Sequence, residues 1–207
     1  MSLRERSDVG DGRAVMIVPG FMDGPNRVRR LGRFLRRHGF EPHAVAPQPS
    51  SGRVGIDTLA EQLRAYADDG PLAGRRFDLV GFSMGGLTSR YYVQRLGGAE
   101  RVGRFVTLAS PHRGTLMAQA WPGVGGRQMR PGSAFLEDLN ADAAMLERHG
   151  FTSVWTPLDL MILPPTSSKL GVGREVRLLV PAHPLMIYGR RAHRAVLDAL
   201  TRQADTP

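Results

Sequence analysis

Phe77-Asp78-Leu79-Val80-Gly81-Phe82-Ser83-Met84-Gly85-Gly86-Leu87 decides how this chain is read. A short apolar stretch runs through a serine flanked by glycines into residues at helical spacing. Gly-x-Ser-x-Gly between a strand and a helix makes a sharp turn that lifts the serine hydroxyl out of the sheet edge, within reach of a base. Such a turn is too tight for large side chains at Gly81 and Gly85. In a chain with 25 glycines the five-residue pattern is weak by itself, and the strand before it and the helix after it carry the reading. The plainer alternative is an ordinary serine at a helix N-terminus.

Working outward, residues 13–20 (Arg-Ala-Val-Met-Ile-Val-Pro-Gly) form a continuous apolar run, the pattern of a strand buried on both faces of a parallel sheet. Residues 25–38 carry Val28, Leu31, Phe34 and Leu35 at helical spacing, with Gly39 as the stop. A weaker strand is expected over 40–46. Asp57 is expected to cap a helix over 58–68, which Asp69-Gly70-Pro71 ends. The serine sits between a strand at 77–81 and a helix at 84–96, and 105–109 is the next buried strand. Gly123, Gly125, Gly126, Pro131 and Gly132 then mark a loop region, and 133–147 reads as one helix. Short strands are expected at 153–156 and 175–180, and from Pro184 the chain ends in a helix through Ala192, Ala195, Val196, Ala199 and Leu200. This alternation predicts an α/β fold with about six mostly parallel strands and helices on both faces. Residues 1–207 are expected to form one domain, with 116–150 as a small cap-like insertion.

At 207 residues, 42% of them hydrophobic and 23% charged, the chain is long enough to bury one sizeable core. No apolar run approaches the ~20 residues that cross a bilayer. Residues 1–11 are mostly polar and the apolar run at 14–18 is too short for a signal-peptide core, so a cytoplasmic location is expected. The absence of cysteine excludes disulfides, thiolate catalysis and Cys-ligated metals. A net charge of +9 raises nucleic acid or an anionic surface as partners. The basic residues are nearly all arginine and spread along the chain, which argues against nucleic acid; Lys169 is the only lysine. Arg29, Arg30, Arg33, Arg36 and Arg37 fall on the polar side of an amphipathic segment. They read first as a solvated helix face and second as a weak contact with anionic membrane.

A serine hydroxyl is a poor nucleophile at neutral pH, so it needs a base, and the base needs an orienting carboxylate. On a strand-turn-helix elbow these follow in the order serine, acid, histidine. His183 comes just after the last strand in Leu-Leu-Val-Pro-Ala-His-Pro-Leu, at the sheet edge where the serine also emerges. His193 falls within the final helix, and His149 is expected as a solvated residue at a helix C-terminus. His112 lies near the serine but precedes any credible acid. Asp159, in Trp-Thr-Pro-Leu-Asp-Leu-Met-Ile, follows the penultimate strand in an apolar setting where an unpaired carboxylate is costly. Asp138 and Asp142 are expected to be solvated. The backbone N–H groups of Phe21 and Met84 are the candidate oxyanion donors, with Gly20 allowing a close approach. Phe82, Leu116, Met117, Trp121, Leu158, Met161, Leu185 and Met186 suggest an acyl or alkyl group as ligand, with core packing as their plainer role.

Three stretches together resemble the small bacterial lipases and esterases of the α/β-hydrolase superfamily, near the lipase-A type of bacilli. They are Val18-Pro19-Gly20-Phe21, Val80-Gly81-Phe82-Ser83-Met84-Gly85-Gly86 and Thr107-Leu108-Ala109-Ser110-Pro111-His112-Arg113-Gly114-Thr115. The resemblance covers nearly the whole chain and implies a minimal α/β-hydrolase fold. It implies hydrolysis of carboxylic esters by a Ser83-His183-Asp159 triad through an acyl-enzyme, without metal or cofactor, on a small-molecule ester or lipid. His112 is implied as a pocket residue, alongside Phe82, Leu116, Met117, Leu158, Met161 and Leu185. Two departures stand out: the first loop begins Pro-Gly where many lipases have His-Gly, and 116–150 is longer than in the most minimal members. Residues 128–133 (Gln-Met-Arg-Pro-Gly-Ser) resemble a segment of larger lipase-like hydrolases. The superfamily also holds acyltransferases and thioesterases, which are the alternative activities, and a non-catalytic binding protein is a third reading.

Overall fold

Five apolar residues in a row leave no polar face for water, and they form β1 (Ala14–Val18), buried throughout. The structure is a computed structural model that describes residues 10–202, so most of the polar 1–11 stretch lies outside the described residues. β1 lies beside β2 (Glu41–Ala44) and β3 (Phe77–Phe82), followed by β4 (Val102–Leu108), β5 (Thr152–Trp155) and β6 (Arg174–Arg177). They make one sheet in the order β2-β1-β3-β4-β5-β6 with every neighbouring pair parallel. The central strands carry the apolar runs. The outermost, β2 and β6, are short and largely polar, as sheet edges tend to be.

Alternate residues of the strands feed two cores. Val15, Ile17, Val80, Phe82, Val106 and Leu108 pack against α1 (Arg29–Arg36) and, further along the chain, α6 (Leu185–Tyr188) and α7 (Arg190–Thr201). Met16, Val18, Leu79 and Phe105 face α2 (Ile56–Asp68) and α3 (Met84–Arg95) on the other side. On α1, Leu31 and Leu35 are buried while Arg29, Arg30, Arg33 and Arg36 point to solvent, as does Arg37 beyond it. Among the described residues no helix is long and apolar enough to cross a membrane.

Several expectations need correction. The cap of α2 is Gly55, and Asp57 sits in the first turn, where its carboxylate accepts from Gln128 Nε2 at 2.9 Å. After the short α4 (Val124–Gln128), the single helix expected over 133–147 is two: α5 (Ala134–Ala141), capped by the Ser133 hydroxyl, and a 3-10 helix Ala143–His149. They part at Asp142, whose carboxylate is taken by Arg95 and Gln94, while Arg90 and Gln94 bind the Leu139 carbonyl. Asp138 and Asp142 are exposed, as expected, and both also pair with Arg95. The final helix is likewise interrupted, at Gly189. His149 is buried, not solvated. Its Nδ1 donates to the Val102 carbonyl at 2.9 Å while Nε2 accepts from Arg148 Nε, an arrangement that holds only the neutral ring.

Candidate active site

The turn after β3 has the geometry that its glycines permit. Gly85 packs so closely on the Val18 and Pro19 carbonyls that a Cβ there would collide with both. Ser83 takes φ 55° and ψ −127°, a conformation that costs a non-glycine residue about 1–3 kcal/mol. It lies immediately ahead of α3, whose first residue, Met84, has no intrahelical acceptor for its N–H. The loop after β1 closes on the serine: a Cβ on Gly20 would stand 2.9 Å from Ser83 Cβ. Met22 (φ 55°) and Ala109 (φ 47°) are also in the left-handed region. Three of the four such non-glycine residues among those described therefore follow β1, β3 and β4 at one sheet edge.

At that edge His183, on the loop after β6, sets Nδ1 2.7 Å from Asp159 Oδ2. The other oxygen of Asp159 accepts the N–H groups of Met161 (2.9 Å) and Ile162 (3.0 Å), so a carboxylate only 1% exposed is fully bonded. The ring of Phe82 lies 4.9 Å from that of His183 and braces it beside the serine. Among the described residues Ser83 Oγ and His183 share no direct hydrogen bond, but both line one cavity of about 170 Å³. A larger cleft of about 860 Å³ opens elsewhere, between Arg104, Arg148, Arg174 and Arg202. It contains no serine or histidine and is remote from this arrangement.

Of the expected ligand-binding residues, Phe82, Met117 and Met161 line the cavity, as do Trp121 and Phe21. Leu116, Leu158 and Leu185 are exposed and stand outside its wall, and Met186 is core. His112 is not a cavity residue. It is fully buried, with Nε2 2.9 Å from Thr107 Oγ1, and its carbonyl accepts from Asn140 Nδ2. Its neighbour Pro111 lines the cavity instead.

Residues that the pattern did not single out complete the wall: Thr115, Ala118, Met129, Ile162 and an ion pair between Asp23 and Arg27 (2.7 Å). The i,i+4 spacing of that pair was a signal available in the sequence. Asp23 Oδ2 also accepts from Gly20 N at 3.3 Å, and Arg27 Nη1 donates to Tyr188 Oη at 3.0 Å. The pair thereby links the loop after β1 to the segment that follows His183. No group of three or more potential metal ligands occurs among the described residues.

Burial pushes the pKa values of His112, His149 and His193 below the ordinary imidazole value, and in His112 the Arg90 guanidinium adds to the effect. The unfolded chain binds protons on these rings first. Their contribution to stability is therefore complete above about pH 6.5 and declines as pH falls towards the folded-state values, by at most about 1.4 kcal/mol per pH unit per ring. Urea unfolding between pH 7.5 and 5.5 should show that decline, and His149→Gln should lessen it by that ring's share while His112 and His193 keep theirs.

A family model described as palmitoyl protein thioesterase matches residues 15–133, more than half of the chain, from β1 through the Ser83 turn to the start of α5. The chain belongs to the palmitoyl protein thioesterase family. Solved structures place this thioesterase-family chain in the α/β-hydrolase fold. Lipase B of Aspergillus fumigatus superposes with a TM-score of 0.75 at 16% identity, over 94% of this chain and 54% of its own. The chain thus spans about half the length of that lipase. Mature lipase BlEst2 of Bacillus licheniformis gives 0.69 at 14% identity, over 92% of this chain and 93% of its own. An extracellular α/β-hydrolase from a Paenibacillus species gives 0.62 at 15%, over 89% and 97%. No curated protein matches the chain in sequence.

Proposed function

We propose that this chain hydrolyses carboxylic esters through an acyl-enzyme on Ser83. The observation that carries the reading is the 2.7 Å contact of Asp159 with His183 Nδ1, in a cavity that Ser83 also lines. Asp159 holds the imidazole with Nδ1 protonated, which leaves Nε2 free to accept the serine proton. Ser83 Oγ attacks the acyl carbonyl, and the N–H groups of Phe21 and Met84 receive the oxyanion, each worth about 3 kcal/mol in comparable sites. His183 returns the proton to the leaving alkoxide, then activates the water that releases the acid. Every group needed is a side chain or backbone N–H of this chain.

The family match favours a second reading, in which the leaving group is a thiol. The same residues serve, since the thiolate departs more readily than an alkoxide and leans less on His183 as acid. A fluorophosphonate probe is expected to label Ser83 stoichiometrically, identified by peptide mass spectrometry. A matched oxyester and thioester of one acyl group then rank the two activities. Labelling at another residue of an active protein would overturn the mechanism.

A further inference from the structure

We infer that the cavity admits a short acyl group, about four to eight carbons, and that Trp121 sets this limit. The inference rests on the hydrolytic reading above and extends it to the substrate. A dry apolar cavity of about 150 Å³ is filled by benzene, a six-carbon molecule. The cavity beside Ser83, at about 170 Å³, is of that order. The cavity is partly open to solvent, and a sixteen-carbon chain exceeds its volume and would have to extend out through its mouth.

The cavity is not apolar on every side. At one end Asp23 and Arg27 form their ion pair, and an alkyl chain laid there would strip water from both charges without replacing it. Beneath, Ala118 and Met129 belong to a packed cluster with Ile56, Leu59, Met84, Leu87 and Leu136, which closes the floor. What remains is apolar, lined by Met117, Met161 and Ile162 together with Phe21 and Trp121, whose rings lie 4.7 Å apart. That wall is held in place. A Cβ on Gly52 would come 2.9 Å from Phe21 Cε2, and one on Gly126 would come 2.7 Å from Trp121 Cβ. Val124 N donates to the Arg53 carbonyl (3.3 Å), Gly125 N to Val54 (3.1 Å) and Gly126 N to Gly52 (3.3 Å). A lid free to swing would have to break three backbone bonds to the neighbouring loop. Trp121 is 37% exposed, so it stands between cavity and solvent, and its truncation opens the cavity without hollowing the core.

The test is a series of p-nitrophenyl esters from two to sixteen carbons, each below its micelle concentration. Wild-type kcat/KM is expected to peak at about four to eight carbons and to fall about tenfold or more by twelve, within the range by which pockets discriminate methylenes. Trp121→Ala is expected to move the peak longer by two carbons or more, and Trp121→Leu by less. Leu160→Ala, on an exposed residue outside the wall, should leave the profile unchanged. In parallel, calorimetry of straight-chain carboxylates on Ser83→Ala protein should show affinity rising with length only to about eight carbons. A wild-type peak at twelve carbons or longer, or a Trp121→Ala effect equal on every ester, would overturn the inference. Length-limited carboxylate binding without ester hydrolysis would support the limit and overturn the hydrolytic reading instead.

Discussion

Replacing Ser83 by alanine is expected to lower turnover of a short p-nitrophenyl ester by roughly 10⁵- to 10⁶-fold, to the level that positioning alone sustains. The loss should be purely chemical. The Ser83 side chain makes no hydrogen bond among the described residues, so alanine removes the hydroxyl and leaves the packing as it was. The strain at φ 55° stays, because alanine tolerates that conformation no better than serine. Ser83→Gly separates the two effects. It should be as inactive as the alanine variant yet more stable, by about 1 kcal/mol once glycine's extra freedom in the unfolded chain is set against the relieved strain. Steady-state kinetics with thermal denaturation on both variants reads this out. Alanine turnover within tenfold of wild type would overturn Ser83 as nucleophile.

The central strands were legible because burial on both faces demands unbroken apolar runs, and β1, β3 and β4 have them. The edge strands Glu-Pro-His-Ala and Arg-Glu-Val-Arg carry little such signal, and their observed ends fall short of those expected. Helix boundaries were misread where a distant side chain decided them. Asp142 ends α5 because Arg95 and Gln94 on α3 claim its carboxylate, a contact across about fifty residues that no local pattern encodes. His149 was misread for a similar reason, since the Val102 carbonyl that buries it lies on another element.

The site divides along the same line. Ser83, Asp159 and His183 can be named as candidates from the sequence because each follows a strand, and a parallel sheet delivers all those loops to one edge. The cavity wall was not readable in this way. Trp121 faces the site only because 123–126 is bonded to 52–54, and His112 turns inward although its neighbours Pro111 and Thr115 line the cavity. Candidates that sit at strand ends can be proposed from the sequence, whereas shape built from pairs of loops cannot. The 116–150 stretch, expected as a cap, supplies Met117, Ala118, Trp121 and Met129 to the cavity wall.

Asp159→Asn is expected to be the second most damaging change, lowering kcat by about 10⁴-fold although it preserves the shape of the side chain. In the wild-type arrangement one oxygen of Asp159 accepts from the backbone N–H groups of Met161 and Ile162, and the other faces His183 Nδ1. Asparagine has one acceptor oxygen and one donor nitrogen for these two tasks. If the oxygen stays on the backbone pair, the amide NH₂ faces His183. The ring then protonates on Nε2, which is the wrong tautomer to take a proton from Ser83. If the amide flips, the NH₂ confronts two N–H donors, and the loop that carries Met161 into the cavity wall loses its anchor at a cost of about 1–3 kcal/mol. The first arrangement leaves stability intact and removes catalysis; the second lowers both. Kinetics combined with urea unfolding of Asp159→Asn, beside Asp159→Ala as the variant that orphans both partners, distinguishes them. A loss below tenfold with unchanged stability would mean that His183 does not depend on this carboxylate, and the proposed triad would fall.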